Sequence, residues 1–109
     1  MGRACTVPQI VSFDQQTAVL VVMGEEDQLT SGRRRRAMSL AIKAGGDVEV
    51  DMRGLSFADC SLMIDLAVLA RRLRYNGRNM RLRGAQPQVR RLIEMMGVDR
   101  LPAVALDVA

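Results

Sequence analysis

Three consecutive residues, Asp59-Cys60-Ser61, set a carboxylate, a thiol and a hydroxyl side by side in mid-chain. A thiolate nucleophile at Cys60 would need a neighbouring base and a group to hold developing negative charge. The chain has no histidine and only one other cysteine, Cys5. The base is therefore missing, zinc-ligand spacing is absent, and no catalytic or metal-ligating set is expected. A different use follows if a helix begins here. Asp59 and Ser61 are residue types that accept hydrogen bonds from the free N–H groups of a helix start. Such an end carries a positive partial charge and suits an anion such as phosphate. It also favours a thiolate at Cys60, whereas the adjacent Asp59 carboxylate opposes one, which leaves Cys60 open between a redox handle and an inert small residue. A Cys5–Cys60 disulfide stays open, since spacing in sequence does not fix distance in space.

The flanking segments indicate what must position these residues. Asp47–Arg53 alternates Val48, Val50 and Met52 with Glu49, Asp51 and Arg53, the period of a strand. After the loop 54–61, Leu62, Leu66, Leu69, Ala70 and Leu73 recur at helical spacing up to Tyr75, and Asn76-Gly77 stops the run. Met63, Ile64, Ala67 and Val68 widen that stripe almost to a full circle, so this helix should be covered by the sheet or by a partner. Upstream, Val7–Phe13 contains Pro8 and reads as an edge strand. Residues 14–16 make a turn, and Thr17–Met23 reads as a strand buried on both faces. A turn at Gly24–Asp27 precedes a helix from Thr30 or Ser31 to about Lys43, with Ala37, Met38, Ala41 and Ile42 as its apolar stripe and Gly45-Gly46 as its end. Downstream come a strand at Asn79–Gly84 and a helix from Pro87 to Gly97 that buries Val89, Leu92, Ile93 and Met96. A last strand or extended tail follows at Leu101–Val108. This alternation predicts one α/β domain over 1–109, with 1–6 as a flexible N-terminus. Its four- to five-stranded sheet is mostly parallel with an antiparallel edge strand, covered by three or four helices.

Charge narrows the partners. The net charge is +4, and of sixteen basic residues only Lys43 is not arginine. Arg33–Arg36 could contact phosphate or nucleic acid; the plainer reading turns most of them to solvent while Arg34, on the buried phase, lays its stem over the core. Residues 71–91 hold eight arginines and no acid, which raises a nucleic-acid or membrane hypothesis. Tyr75 is the one aromatic residue among them, too few for a row of stacking platforms, and no Gly-rich phosphate loop is present. A nucleic-acid- or nucleotide-binding scaffold is thus the alternative reading. Two well-separated cysteines, no segment of transmembrane length and no secretory pattern lead to the expectation of a soluble cytoplasmic protein.

The stretch Leu55-Ser56-Phe57-Ala58-Asp59-Cys60-Ser61 resembles the signature loop of STAS domains, the family of bacterial anti-sigma-factor antagonists. Gly24-Glu25-Glu26-Asp27-Gln28-Leu29-Thr30 is similar to the family's Gly-Glu-x-Asp-x-x-Thr segment, and the likeness runs from about residue 17 to 101. The resemblance implies a non-enzymatic domain without cofactors. Such a domain binds an anti-sigma factor, usually a serine kinase, and releases the sigma factor it holds. By the same resemblance the contact residues are Asp27, Ser56, Asp59, Cys60, Ser61, Leu62 and Met63, with Leu62 and Met63 as an exposed apolar pair. Cys60 stands where the family carries its phosphorylated serine, and Leu62 where it carries a glycine. Three outcomes follow from that departure: an unswitched antagonist, Ser61 as substitute acceptor, or Cys60 as a redox handle. A homodimer through the apolar second helix also stays open.

Overall fold

In the strands, buried and accessible residues alternate with a single buried side. The computed structural model describes residues 11–14, 18–26 and 31–107. Its elements follow in the order β1 (Val11–Asp14), β2 (Val19–Val22), β3 (Gly24–Glu26), α1 (Ser31–Ala44), β4 (Val48–Asp51), β5 (Leu55–Ala58), α2 (Cys60–Tyr75), β6 (Met80–Arg83), α3 (Pro87–Met96), a 3-10 turn (Val98–Arg100) and β7 (Val104–Leu106). The main sheet runs β1-β2-β4-β6-β7. β1 pairs antiparallel with β2 at the edge, and the other pairings are parallel. The predicted mixed α/β sheet with one antiparallel edge is what the chain forms.

Register places Leu20 beside Val50 and Val50 beside Leu82. With Val22, Val48 and Met80 they make the inner face, and the helices complete it with Ala37, Met38 and Ala41 from α1, Leu62, Met63, Leu66, Leu69 and Leu73 from α2, and Val89 and Ile93 from α3. The other face carries Glu49, Asp51, Arg81 and Arg83 beside Val19 and Val21. Arg83 donates to Glu49 at 3.2 Å, and Arg81 lies 3.7 Å from Asp107. Val19 and Val21 on β2 are therefore only partly buried, which corrects the expectation of a strand covered on both faces. An apolar run does not reveal that described helices cover one side alone.

Two arginines hold the ends of α1. Arg78, nine-tenths buried, donates to the carbonyls of Ala41, Ile42 and Gly46 at 2.7, 2.7 and 2.6 Å. It thereby satisfies orphan acceptors at a helix C-terminus, where a cation is also favoured. Arg34, in the first turns, is 0% exposed.

Several other expectations are corrected. Gly24–Glu26 is a strand rather than part of a turn: Gly24 N–H donates to Gly54 O at 2.8 Å, and β3 runs parallel to β5 as a separate two-stranded sheet. The signature stretch is accordingly a strand up to Ala58, and α2 begins at Cys60, two residues before its apolar run. Met96 is 44% exposed, because α3 closes at Gly97, whose φ of 77° is the left-handed cap that glycine adopts freely. The last strand is shortened to three residues by the 3-10 turn before it. The expected N-terminal segment with Cys5 and Pro8, and the tip of the 14–16 turn, lie outside the described residues.

Candidate functional site

β5 delivers the site. Its Ser56 Oγ donates to Gly24 O at 2.9 Å, which ties β5 to β3. Phe57 stands half exposed, at 50%. The chain then turns at Asp59, an extended residue at the N-cap of α2. Asp59 Oδ1 accepts from Ser61 N–H at 2.9 Å and from Ser61 Oγ at 2.5 Å, so one oxygen both caps the helix and fixes the hydroxyl. Cys60, the first helical residue, is exposed and carries a free thiol.

Behind this surface lies a buried polar chain. Arg34 Nη2 donates to Ser61 Oγ at 3.2 Å, while its Nε donates to Asp65 Oδ2 at 2.8 Å and its Nη2 lies 2.8 Å from the same oxygen. Asp65 is four residues after Ser61, one helical turn on, so a single guanidinium from α1 reaches both. Asp59, Ser61, Arg34 and Asp65 thus form a continuous line from the helix cap into the interior. A buried charge of this kind requires a partner. At the end of β4, Asp51 is held below the usual carboxylate range chiefly by the side-chain hydrogen bond from Arg53, with partial burial opposing it.

The structure carries Ser56 on β5 and sets Asp59, Cys60 and Ser61 together at the start of α2. Asp27 lies outside the described residues. Leu62 and Met63 are corrected: at 0% and 1% exposure they are core residues, not an exposed pair. Their helical phase with Leu66, Leu69 and Leu73 carries them inward, and the accessible apolar positions are Phe57 and, on the outer side of α2, Ile64 and Val68. Arg33, Arg35 and Arg36 face solvent as expected. Arg34 does more than lay its stem over the core, since its head group is buried with it. Its partner Asp65 is thirty-one residues away in sequence, so only the unusual placing of an acid in an apolar helix hinted at the pair.

A groove lined by Phe57, Ala58, Leu92 and Met95 continues the surface towards α3. Met95, 74% exposed, was not among the predicted site residues. Among the described residues no group of three or more potential ligands could hold a metal ion, and no helix is long and apolar enough to cross a membrane. The Ser61 hydroxyl is thus held between Asp59 and Arg34, while the Cys60 thiol is accessible.

The family described as "Mlab, STAS domain" matches residues 10–105 of this chain. No curated protein matches it.

Proposed function

The chain belongs to the STAS domain family, and from that premise we propose that it is a regulatory protein-binding module of the anti-sigma-factor-antagonist kind. It grips an anti-sigma factor, a serine kinase, and so frees the sigma factor. The observation that carries this reading is the half-exposed Phe57 on β5, three residues before the exposed Cys60 at the start of α2. An accessible aromatic ring next to hydrogen-bonding groups is the composition of an interface anchor. Ser56, Asp59 and Ser61 supply the polar rim, and Met95 extends the apolar part. Asp27 joins them by its place in the sequence.

The proposal includes an unswitched state. A thiol at Cys60 is no substrate for a serine kinase. The Ser61 hydroxyl is already engaged by Asp59 and Arg34. A phosphate there would add roughly two negative charges next to two carboxylates, Asp59 and Asp65. Antagonism is therefore constitutive.

The test mixes the purified protein with candidate anti-sigma kinases, magnesium and ATP, and reads affinity and intact mass together. Binding with unchanged mass is expected, and Phe57→Ala should weaken it by about tenfold or more. Failure to bind any kinase would overturn the reading, and a phosphoryl group on Ser61 would overturn the unswitched state. The arginine-rich alternative is less well supported, because the run 71–91 does not gather on one face. Arg78 is buried, Arg81 and Arg83 lie on the open side of the sheet, and Arg90 lies 3.6 Å from Glu94.

A further inference from the structure

The outward side of α2 carries a second feature, which begins at Ile64, one turn beyond Cys60, and runs away from the helix start. Ile64, Val68 and Tyr75 are 56%, 48% and 80% exposed. At steps of four and seven residues they fall on one side of the helix. Val68 also borders a groove against α1 that runs past Ile42 to Tyr75. The stripe spans roughly 16 Å, about three helical turns at the ordinary rise.

Its borders are cationic. Arg71 and Arg72 are exposed and flank the stripe on either side, and Arg35 faces it across the groove. Among the described residues the one acid lining the groove is Asp65, which lies 2.8 Å from the buried Arg34 and 3.7 Å from Arg35, so the charge an incoming helix meets is chiefly that of Arg71 and Arg72. A second copy of the chain, laid face to face, would bring Arg71 and Arg72 against their own kind. Nucleic acid would cover three apolar side chains with a phosphate backbone and find one aromatic ring to stack on.

We propose that the α1–α2 groove and the outer stripe of α2 form a docking site for an amphipathic helix of a partner protein, its apolar side seated on Ile64, Val68 and Tyr75 and its flanks acidic. Helix-in-groove recognition uses apolar anchors at this spacing, and the charges fix the partner's sign and approach. This site is distinct from the Phe57 surface and can be occupied whether or not an anti-sigma factor is the partner there.

The probe is a synthetic sixteen-residue helical peptide with a leucine stripe and glutamate flanks, against a twin with lysine flanks, titrated into the full chain with amide shifts followed by NMR. The acidic peptide should bind roughly tenfold more tightly than the basic one, an advantage that shrinks with salt. Its shifts should map to Ile42, Val68 and Arg72. Val68→Glu should abolish binding, and Arg71→Glu with Arg72→Glu should invert the preference between the two peptides. Phe57→Ala should leave the titration unchanged, whereas it should weaken an anti-sigma factor. Equal binding of both peptides, shifts centred on Phe57, or survival of binding in Val68→Glu would overturn the proposal. So would either of two outcomes in place of acidic-peptide binding: anionic phosphatidylglycerol vesicles captured by the same arginines, or a dimer in sedimentation that Val68→Glu dissociates.

Discussion

Arg34 and Arg78 are both withdrawn from solvent, and they hold the two ends of helix α1 by different chemistry. Arg78 gives its donors to three main-chain carbonyls, groups that exist whatever side chains surround them. Arg34 gives its donors to a carboxylate and a hydroxyl on α2, both borne by side chains that mutation can change. The C-terminal end of α1 is closed by a cap. The N-terminal end is tied by an ion pair to the helix whose first turn carries Cys60 and Ser61. Both guanidiniums are satisfied, yet only one of them couples the core to the proposed contact surface.

The sharpest way to break this comparison is to remove Arg34. Arg34→Ala leaves Asp65 in the interior without its main counter-charge, a type of change that costs about 3–5 kcal/mol. Urea unfolding should show that loss. Arg34→Met combined with Asp65→Leu removes both charges and should recover most of it, since apolar replacement of a buried pair is often neutral or better. If Arg34→Ala cost no more than an exposed substitution, the ion pair would carry no weight and the contrast between the two ends would fail.

Arg78→Ala should come next, at about 2–3 kcal/mol, because hydrogen bonds to a charged donor are lost but the released carbonyls at the helix end can be partly rehydrated. Arg78→Lys should recover only a fraction, since an ammonium has no planar fork to span three carbonyls. Hydrogen exchange sharpens the comparison. Arg78→Ala should speed exchange in the last turn of α1 and leave the start of α2 protected, whereas a variant of Arg34 should loosen the start of α2. Smaller again is Asp59→Ala, which removes the cap of α2 and should cost about 1 kcal/mol, with Asp59→Asn nearly neutral because the amide oxygen still accepts.

What could be read from the sequence follows the range of each interaction. The cap at Asp59, the stop at Gly97 and the inward phase of Val48, Val50, Met80 and Leu82 are set by residues close to one another, and they stand as predicted. The same periodicity placed Leu62 in the buried stripe, and the loop resemblance that made it part of an exposed pair gave way to that phase. The pairing of Gly24–Glu26 with Leu55–Ala58 was not legible, because strands of three and four residues with a register shift show no alternation to read. Nor were the partners of the buried arginines. Arg34 meets Asp65 and Arg78 meets Ala41 across more than thirty residues; the helical phase of α1 turned the Arg34 stem inward but named no partner for its head group, and nothing local marked Arg78 as buried. Met95 was missed because its exposure depends on where α3 lies against β5.

The pair of a largely buried Asp51, its side chain 14% exposed, and a solvent-facing Arg53 supplies the control for both buried arginines. Arg53 donates to both carboxylate oxygens of its partner, at 3.0 and 2.8 Å, yet its own side chain is 69% exposed. Solvent screens such a pair, so Asp51→Asn should have the smallest effect of the four, near the limit of a urea titration. Its pH dependence has a definite sign. The hydrogen bond from Arg53 lowers the Asp51 pKa in the folded protein below its ordinary value of 3.8. The unfolded chain therefore takes up a proton first as pH falls. The contribution is fully present above the unfolded value and is lost as pH drops through the folded one. Wild type should exceed Asp51→Asn in stability at neutral pH by a small margin that closes as pH falls below 3.8. A gap as large as that for Arg34→Ala would mean that geometry rather than burial decides what an arginine contributes here, and the distinction between the interior pair and the surface pair would have to be abandoned.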